Sequence, residues 1–148
     1  MPYDTQLRAT RPINEVIVHC TATREGQHFT VDQIRQWHKA KGWNDIGYHW
    51  VVYLDGSIHP GRPEGIVGAH VEGHNAGTIG VVYVGGVGAD GKIPKDTRTP
   101  AQKAALLQLV KDRIAKYPTI KKVTGHNQYA AKACPSFDVR KDELSKLV

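Results

Sequence analysis

Only two of the 148 residues are cysteine, one is methionine and two are phenylalanine. Two cysteines cannot staple a small disulfide framework, so the fold must rest on a hydrophobic core. A chain of this length can bury such a core and fits a single domain. No apolar run approaches the ~20 residues needed to span a bilayer, so no membrane-spanning helix is expected. The opening stretch, MPYDTQLRATRP, lacks an apolar leader segment, and the chain accordingly reads as cytoplasmic. Internal repeats, low-complexity tracts and linkers are missing as well. One domain over 1–148 is expected, with residues 1–12 a loose N-terminal arm.

Charge is plentiful but unbalanced: 20 Lys and Arg against 14 Asp and Glu give a net charge of +6. That excess suits an anionic partner such as nucleic acid, a membrane surface or the polyanionic bacterial wall. The basic residues are dispersed, Lys121-Lys122 being the densest run. Neither a recognition helix nor an RNA-binding signature is present, so direct nucleic-acid binding is not expected.

The β-branched run INEVIVHCTA (13–22) predicts a buried strand reaching Cys20. Thr30 with Gln33 three residues on forms a capping box, and Ile34 and Trp37 continue a helical stripe closed by Gly42. Trp37 and His38 cannot both face the core. YHWVVYL and SIH flank Asp55-Gly56, which predicts a hairpin with a tight primed turn. Glycines at 61, 65, 68, 73 and 77 mark a long loop, and loops of that length in small domains tend to carry function. TIGVVYVGG (78–86) predicts a second central strand. Thr99, Pro100 and Gln102 open an amphipathic helix that Pro118 ends. IKKVTGH predicts a short strand, 125–136 a loop, and Asp138 to Leu147 a last helix. The fold class is therefore α/β: one domain with a mixed central sheet flanked by about three helices.

His19 closes the first strand, His126 closes another, and Cys134 lies in the loop beyond it. Strand ends are the usual place for functional side chains in such folds. Zinc accepts imidazole and thiolate ligands, and its catalytic sites keep one position open to water. From the residues alone three readings stand side by side: a metal centre, satisfied core histidines with a buried thiol, or half of a disulfide.

The segments IVHCTAT, IRQWHKAKGWNDIGYHWVV, DGSIHPGR, TIGVVYVGG and GHNQYAAKACPSFD, in that order, closely resemble the zinc-dependent N-acetylmuramoyl-L-alanine amidases of phage, relatives of the peptidoglycan recognition proteins. The resemblance covers about residues 12–142. The N-terminal dozen residues and the loops 24–29 and 87–98 carry nothing over. It implies an amidase-like fold, one zinc per chain on His19, His126 and Cys134, and Tyr48 and Lys132 as further catalytic residues. The implied substrate is peptidoglycan, cut between the lactyl group of N-acetylmuramic acid and L-alanine of the stem peptide. The implied setting is an endolysin that reaches the wall once the membrane has been permeabilised. One phage member of the family also binds and inhibits its phage's RNA polymerase, which makes that enzyme a second implied partner. A monomer is expected.

Chemistry agrees with that set. A net positive centre suits a tetrahedral oxyanion, and Lys132, two residues before Cys134 in an extended segment, would share its side. Tyr48, with an ordinary pKa of about 10, suits orientation or proton donation better than base catalysis. Cys20 points away from the site if His19 points toward it. Copper wants an axial methionine, and the only methionine is Met1. A structural zinc would need a fourth protein ligand, which these motifs lack. His70 and Asn75, in the long glycine-rich loop, are candidate substrate-groove residues. Two other readings remain: a non-catalytic wall-binding protein, which in this family commonly lacks the cysteine ligand, and a cytoplasmic amidase recycling soluble muropeptides.

Overall fold

β1 (Glu15–Cys20) is buried along its whole length, as a β-branched run covered on both faces should be. In the computed structural model, which describes residues 2–148, it lies inside a five-stranded sheet of order β4-β3-β5-β1-β7. β5 (Thr78–Tyr83) and β7 (Lys122–Gly125) flank it in parallel, with Val18 opposite both Val81 and Gly125. β3 (Trp50–Val52) runs parallel to β5, and the edge strand β4 (Ile58–Pro60) is antiparallel to β3, so the sheet is mixed. A second, two-stranded sheet pairs β2 (Thr23–Arg24) with β6 (Gly86–Val87).

Alternation along the strands sends side chains to two helical layers. Val16, Val18 and Cys20 share one core with Trp50, Val52, Ile79, Val81 and Tyr83, closed by Leu106, Leu109 and Val110 of α2 (Pro100–Lys116). Val51, Val82 and Val84 form the other with Val31 and Ile34 of α1 (Val31–Ala40). Both helices open on reciprocal capping boxes: Thr30 with Gln33, and Thr99 with Gln102 behind Pro100. Gly42, at a φ of +93°, ends the first, as expected.

Three expectations are corrected. The helix expected from Asp138 to Leu147 is two short 3-10 segments, Val139–Lys141 and Glu143–Leu147, so the sheet carries two α-helices rather than three. Asp138 and Asp142 each cap a new turn with their own carboxylate, which breaks the run before an α-helix can propagate. The hairpin turn is not of the primed type: only Gly56 has a positive φ, +84°, and its N–H donates to Tyr53 O. That is a three-residue loop with glycine in the left-handed position.

The arm expected to be loose is the third; Met1 lies outside the described residues. The remainder has no helix or strand but is tied down. Asp4 binds Arg113 and Lys116 at 2.7 and 2.9 Å, and Arg11 donates to Glu64 O and Thr78 O at 2.6 and 2.9 Å. Glu64 is the hub, with its carboxylate fully buried against Arg113 and accepting from Trp50 Nε1 and Tyr117 OH. Sequence patterning does not show this network, because its members are far apart in the chain.

Candidate active site

The register of β1 and β7 makes the site. Gly125 pairs with Val18, so the next residues, His19 near the end of β1 and His126 just past β7, lie side by side with ring centroids 4.8 Å apart. The loop after β7 then turns back through a cis Cys134–Pro135 bond and brings the Cys134 sulfur to 3.8 Å from His19 Nδ1. The sulfur also accepts the Cys20 backbone N–H at 3.2 Å. Ligand atoms of His19, His126 and Cys134 all lie within 4.8 Å of one another, a group that could hold a metal ion. Cys20 turns its side chain into the α2-side core, as strand parity requires.

Burial sets the protonation here. The His19 ring, fully enclosed and facing His70, His126, His49 and Lys132, is held well below the usual imidazole pKa. His126 is lowered by burial and by the Lys132 ammonium. Both imidazoles are therefore neutral and able to offer a lone pair. The Cys134 thiol is pushed up by its hydrogen bond with the Cys20 thiol and then by burial, against the lowering effect of the Cys20 backbone N–H, so a thiolate there calls for a neighbouring cation.

Tyr48 stacks at a tilt on His19, with centroids 5.1 Å apart, and burial followed by the Cys134 thiol raises its hydroxyl above the ordinary tyrosine range. The hydroxyl therefore keeps its proton at neutral pH. Lys132 is exposed and lines the groove beside His126. It gets there by a different route from the one expected: residues 130–136 form bends and turns, with Ser136 N–H donating to Ala133 O, rather than an extended strand.

The groove measures about 610 Å³ and is walled by Lys41, Trp43, Glu72, Tyr129 and Lys132, with His70 and Asn75 also on its lining. Asn75 also clamps the loop, since its Oδ1 accepts the N–H groups of His70 and Val71, both at 2.9 Å. His70 is buried and bonds His19 Nε2 through Nδ1 at 2.8 Å. Sequence reasoning missed Lys41, Trp43, Glu72 and Tyr129. An aromatic residue directly after the glycine that stops α1 was the available signal for Trp43. Of the pair on α1, His38 is 7% exposed and accepts Gly47 N–H, while Trp37 is 39% exposed. Neither touches the three grouped residues.

Two neutral imidazoles and a thiol gather at the carboxyl ends of parallel strands, with His126 on the lining of the groove, a donor set that suits a hydrolytic centre. The chain belongs to the N-acetylmuramoyl-L-alanine amidase family, whose sequence profile matches residues 9–137, and it is a peptidoglycan hydrolase of that activity. It is 41% identical over 136 residues to the endolysin of Escherichia phage T7, covering 92% of this chain and 89% of that protein. Among solved structures, the N-acetylmuramoyl-L-alanine amidase LysC from Clostridium intestinale URNW superposes with a TM-score of 0.74 at 29% identity, over 91% of this chain and 87% of that one. Drosophila peptidoglycan recognition protein SD reaches a TM-score of 0.75 at 17% identity, over 93% of this chain and 85% of that one, which speaks for the fold alone.

Proposed function

We propose that His19, His126 and Cys134 hold one zinc ion and that Tyr48 and Lys132 act beside it in cleaving the lactyl–L-alanine amide of peptidoglycan. The observation that carries this is the grouping of three donor atoms within 4.8 Å, with His126 and Lys132 on the lining of the adjoining groove. The donor chemistry fits: ligands around a tetrahedral zinc lie about 3.5 Å apart, and the His19–Cys134 separation is 3.8 Å. Zinc in an open three-ligand site supplies Lewis acidity to water and to the scissile carbonyl.

The chain's own groups do the rest. Lys132 brings an ammonium to the groove wall beside His126, where it offsets negative charge developing on the carbonyl oxygen. Tyr48, kept protonated by burial, donates a hydrogen bond to the same oxygen or to the leaving amine. The groove walls, Trp43 and Tyr129 among them, seat the glycan and stem peptide. By likeness to the phage endolysins, the enzyme is made in the host cytoplasm and meets the wall after the membrane is breached.

Digestion of purified sacculi tests the reading. New amino groups on L-alanine should appear without new reducing ends, cease after chelation and return with zinc. Reducing ends would sink the bond assignment, and chelator-resistant amidase activity would sink the metal.

A further inference from the structure

His70 has both ring nitrogens engaged, and hydrogen-bond direction can be followed through them. Thr78 Oγ1 lies 2.9 and 3.0 Å from the carbonyls of His74 and Asn75, which only accept, so its single proton is spent there. Toward His70 Nε2, 3.2 Å away, the hydroxyl can therefore only accept, and Nε2 carries the proton. In the neutral ring Nδ1 is then bare and accepts from His19 Nε2 at 2.8 Å. That leaves the lone pair of His19 on Nδ1, the nitrogen that faces the Cys134 sulfur.

The ring of His70 is also held in place by what the chain omits. A Cβ on Gly80 would stand 2.7 Å from His70 Cγ, and one on Gly68 would stand 2.8 Å from His70 Cδ2. Gly80 and Thr78 sit two apart on β5, on the same face, so the strand beside β1 carries both the seat and the hydroxyl. The loop that delivers His70 is fixed in turn by the Asn75 clamp.

We propose that His70 is a positioning residue: the relay Thr78–His70–His19 fixes the tautomer and ring orientation of His19 so that Nδ1 is presented as a ligand. This rests on the metal reading above and gives His70 a role other than touching substrate. Partners of this kind orient metal ligands, and their loss typically weakens metal binding by about 10–100-fold.

Three variants test it. His70→Leu keeps bulk and removes the acceptor. His70→Asn places an amide oxygen close to where Nδ1 was, and Thr78→Val removes only the hydroxyl. Zinc affinity is read by competition with a chromophoric chelator, and the tautomer of His19 by long-range proton–nitrogen correlation spectra of the zinc-free protein. His70→Leu should bind zinc about 10–100-fold more weakly, His70→Asn should recover most of that loss, and Thr78→Val should fall between. The wild-type spectrum should show the His19 proton on Nε2, and His70→Leu should show a mixture. Unchanged zinc affinity in both His70→Leu and Thr78→Val, with only KM for muropeptide raised, overturns the proposal and returns His70 to the groove. So does a wild-type spectrum with the proton on His19 Nδ1. If the wild type binds no zinc, the metal reading fails, and the spectra still decide the relay.

Discussion

Cys20 holds Cys134 through its backbone: the N–H of the strand residue donates to the loop sulfur at 3.2 Å, while the Cys20 side chain packs into the α2-side core, against which Cys134 also rests. One cysteine is thus placed by the other's backbone, and the two thiols also perturb each other's protonation. The sulfur that reaches the site is anchored by an amide that any residue at position 20 except proline would supply.

Replacement of the two cysteines should therefore have opposite outcomes. Cys134→Ser should lose most bound zinc and nearly all activity, since it removes the only thiolate of the site. Its fold should largely survive, because the two cores do not depend on metal. Cys20→Ala should retain one zinc per chain. Metal analysis of both purified variants checks this. Zinc kept by Cys134→Ser, or lost by a folded Cys20→Ala, would contradict the assignment.

Tyr48→Phe and Lys132→Ala should each lower kcat with zinc content unchanged. Losing one preorganised contact to a developing oxyanion costs about 10²–10³ in rate. With its hydroxyl kept protonated by burial, Tyr48 has no base to titrate, so Tyr48→Phe should cut kcat at every pH rather than shift an acidic limb. Steady-state kinetics on a soluble muropeptide measures it, and a near-normal rate for Lys132→Ala would make that ammonium plain surface charge.

The sheet and both α-helices are legible because each leaves a local mark, whereas His19, His126 and Cys134 stand out locally only as candidates that the family resemblance joins into one set. β-branched runs gave β1 and β5, reciprocal Thr/Gln caps gave α1 and α2, and strand parity separated His19 from Cys20. Tyr48 and Lys132 became candidates through family resemblance alone. What stayed hidden is long-range. The relay from Thr78 through His70 depends on a loop folding back over β5, and the Glu64–Arg113 hub joins a loop to a helix. No periodicity records such contacts. The last segment departs from a helix for a local reason: Asp142 takes the Leu144 N–H that a continuing α-helix would have used and starts a new turn.

Acid should destabilise the fold before carboxylates titrate. His49 is buried and neutral, with Nδ1 accepting Gly80 N–H and Nε2 donating to Ile66 O, and burial lowers its pKa to about 4. His38 is likewise lowered to about 4 by burial and by Lys41. The unfolded chain, with histidines near 6.5, binds more protons than the native one below that pH. The stability is thus fully present above about 6.5 and is lost as pH falls through about 4. For His49 the slope approaches about 1.4 kcal/mol per pH unit inside that window. Denaturant midpoints of zinc-free protein between pH 7.5 and 4.5 should fall steadily. His49→Gln should flatten the fall, and an unchanged slope would show that His49 does not supply it.

The Glu64 hub should be worth more to stability than any surface pair. Glu64 and Arg113 side chains are both 0% exposed, and Asp4, Lys116, Trp50 and Tyr117 also bond to the pair. Two buried charges cost much to desolvate, so the intact pair need not be strongly stabilising in itself. Removing one partner is different, because it leaves the other in a dry interior with only Asp4 (for Arg113) or Lys116 (for Glu64) as counter-charge, a loss toward the lower end of about 3–5 kcal/mol. Glu64→Leu should therefore lower the melting temperature by roughly 10 °C, taking about 2–4 °C per kcal/mol for a domain of this size. Arg113→Met should do similar harm, and the double variant should be less destabilised than the sum of the two. Because Glu64 begins the stretch of loop that carries His70, Glu64→Leu should also weaken zinc binding at a temperature where the protein is still folded. Calorimetry on the three variants, with zinc affinity measured at about 20 °C, tests both parts. A single-variant cost below about 1 kcal/mol, the range of exposed pairs, would mean the hub is hydrated in solution. Full additivity would mean that the two charges do not interact.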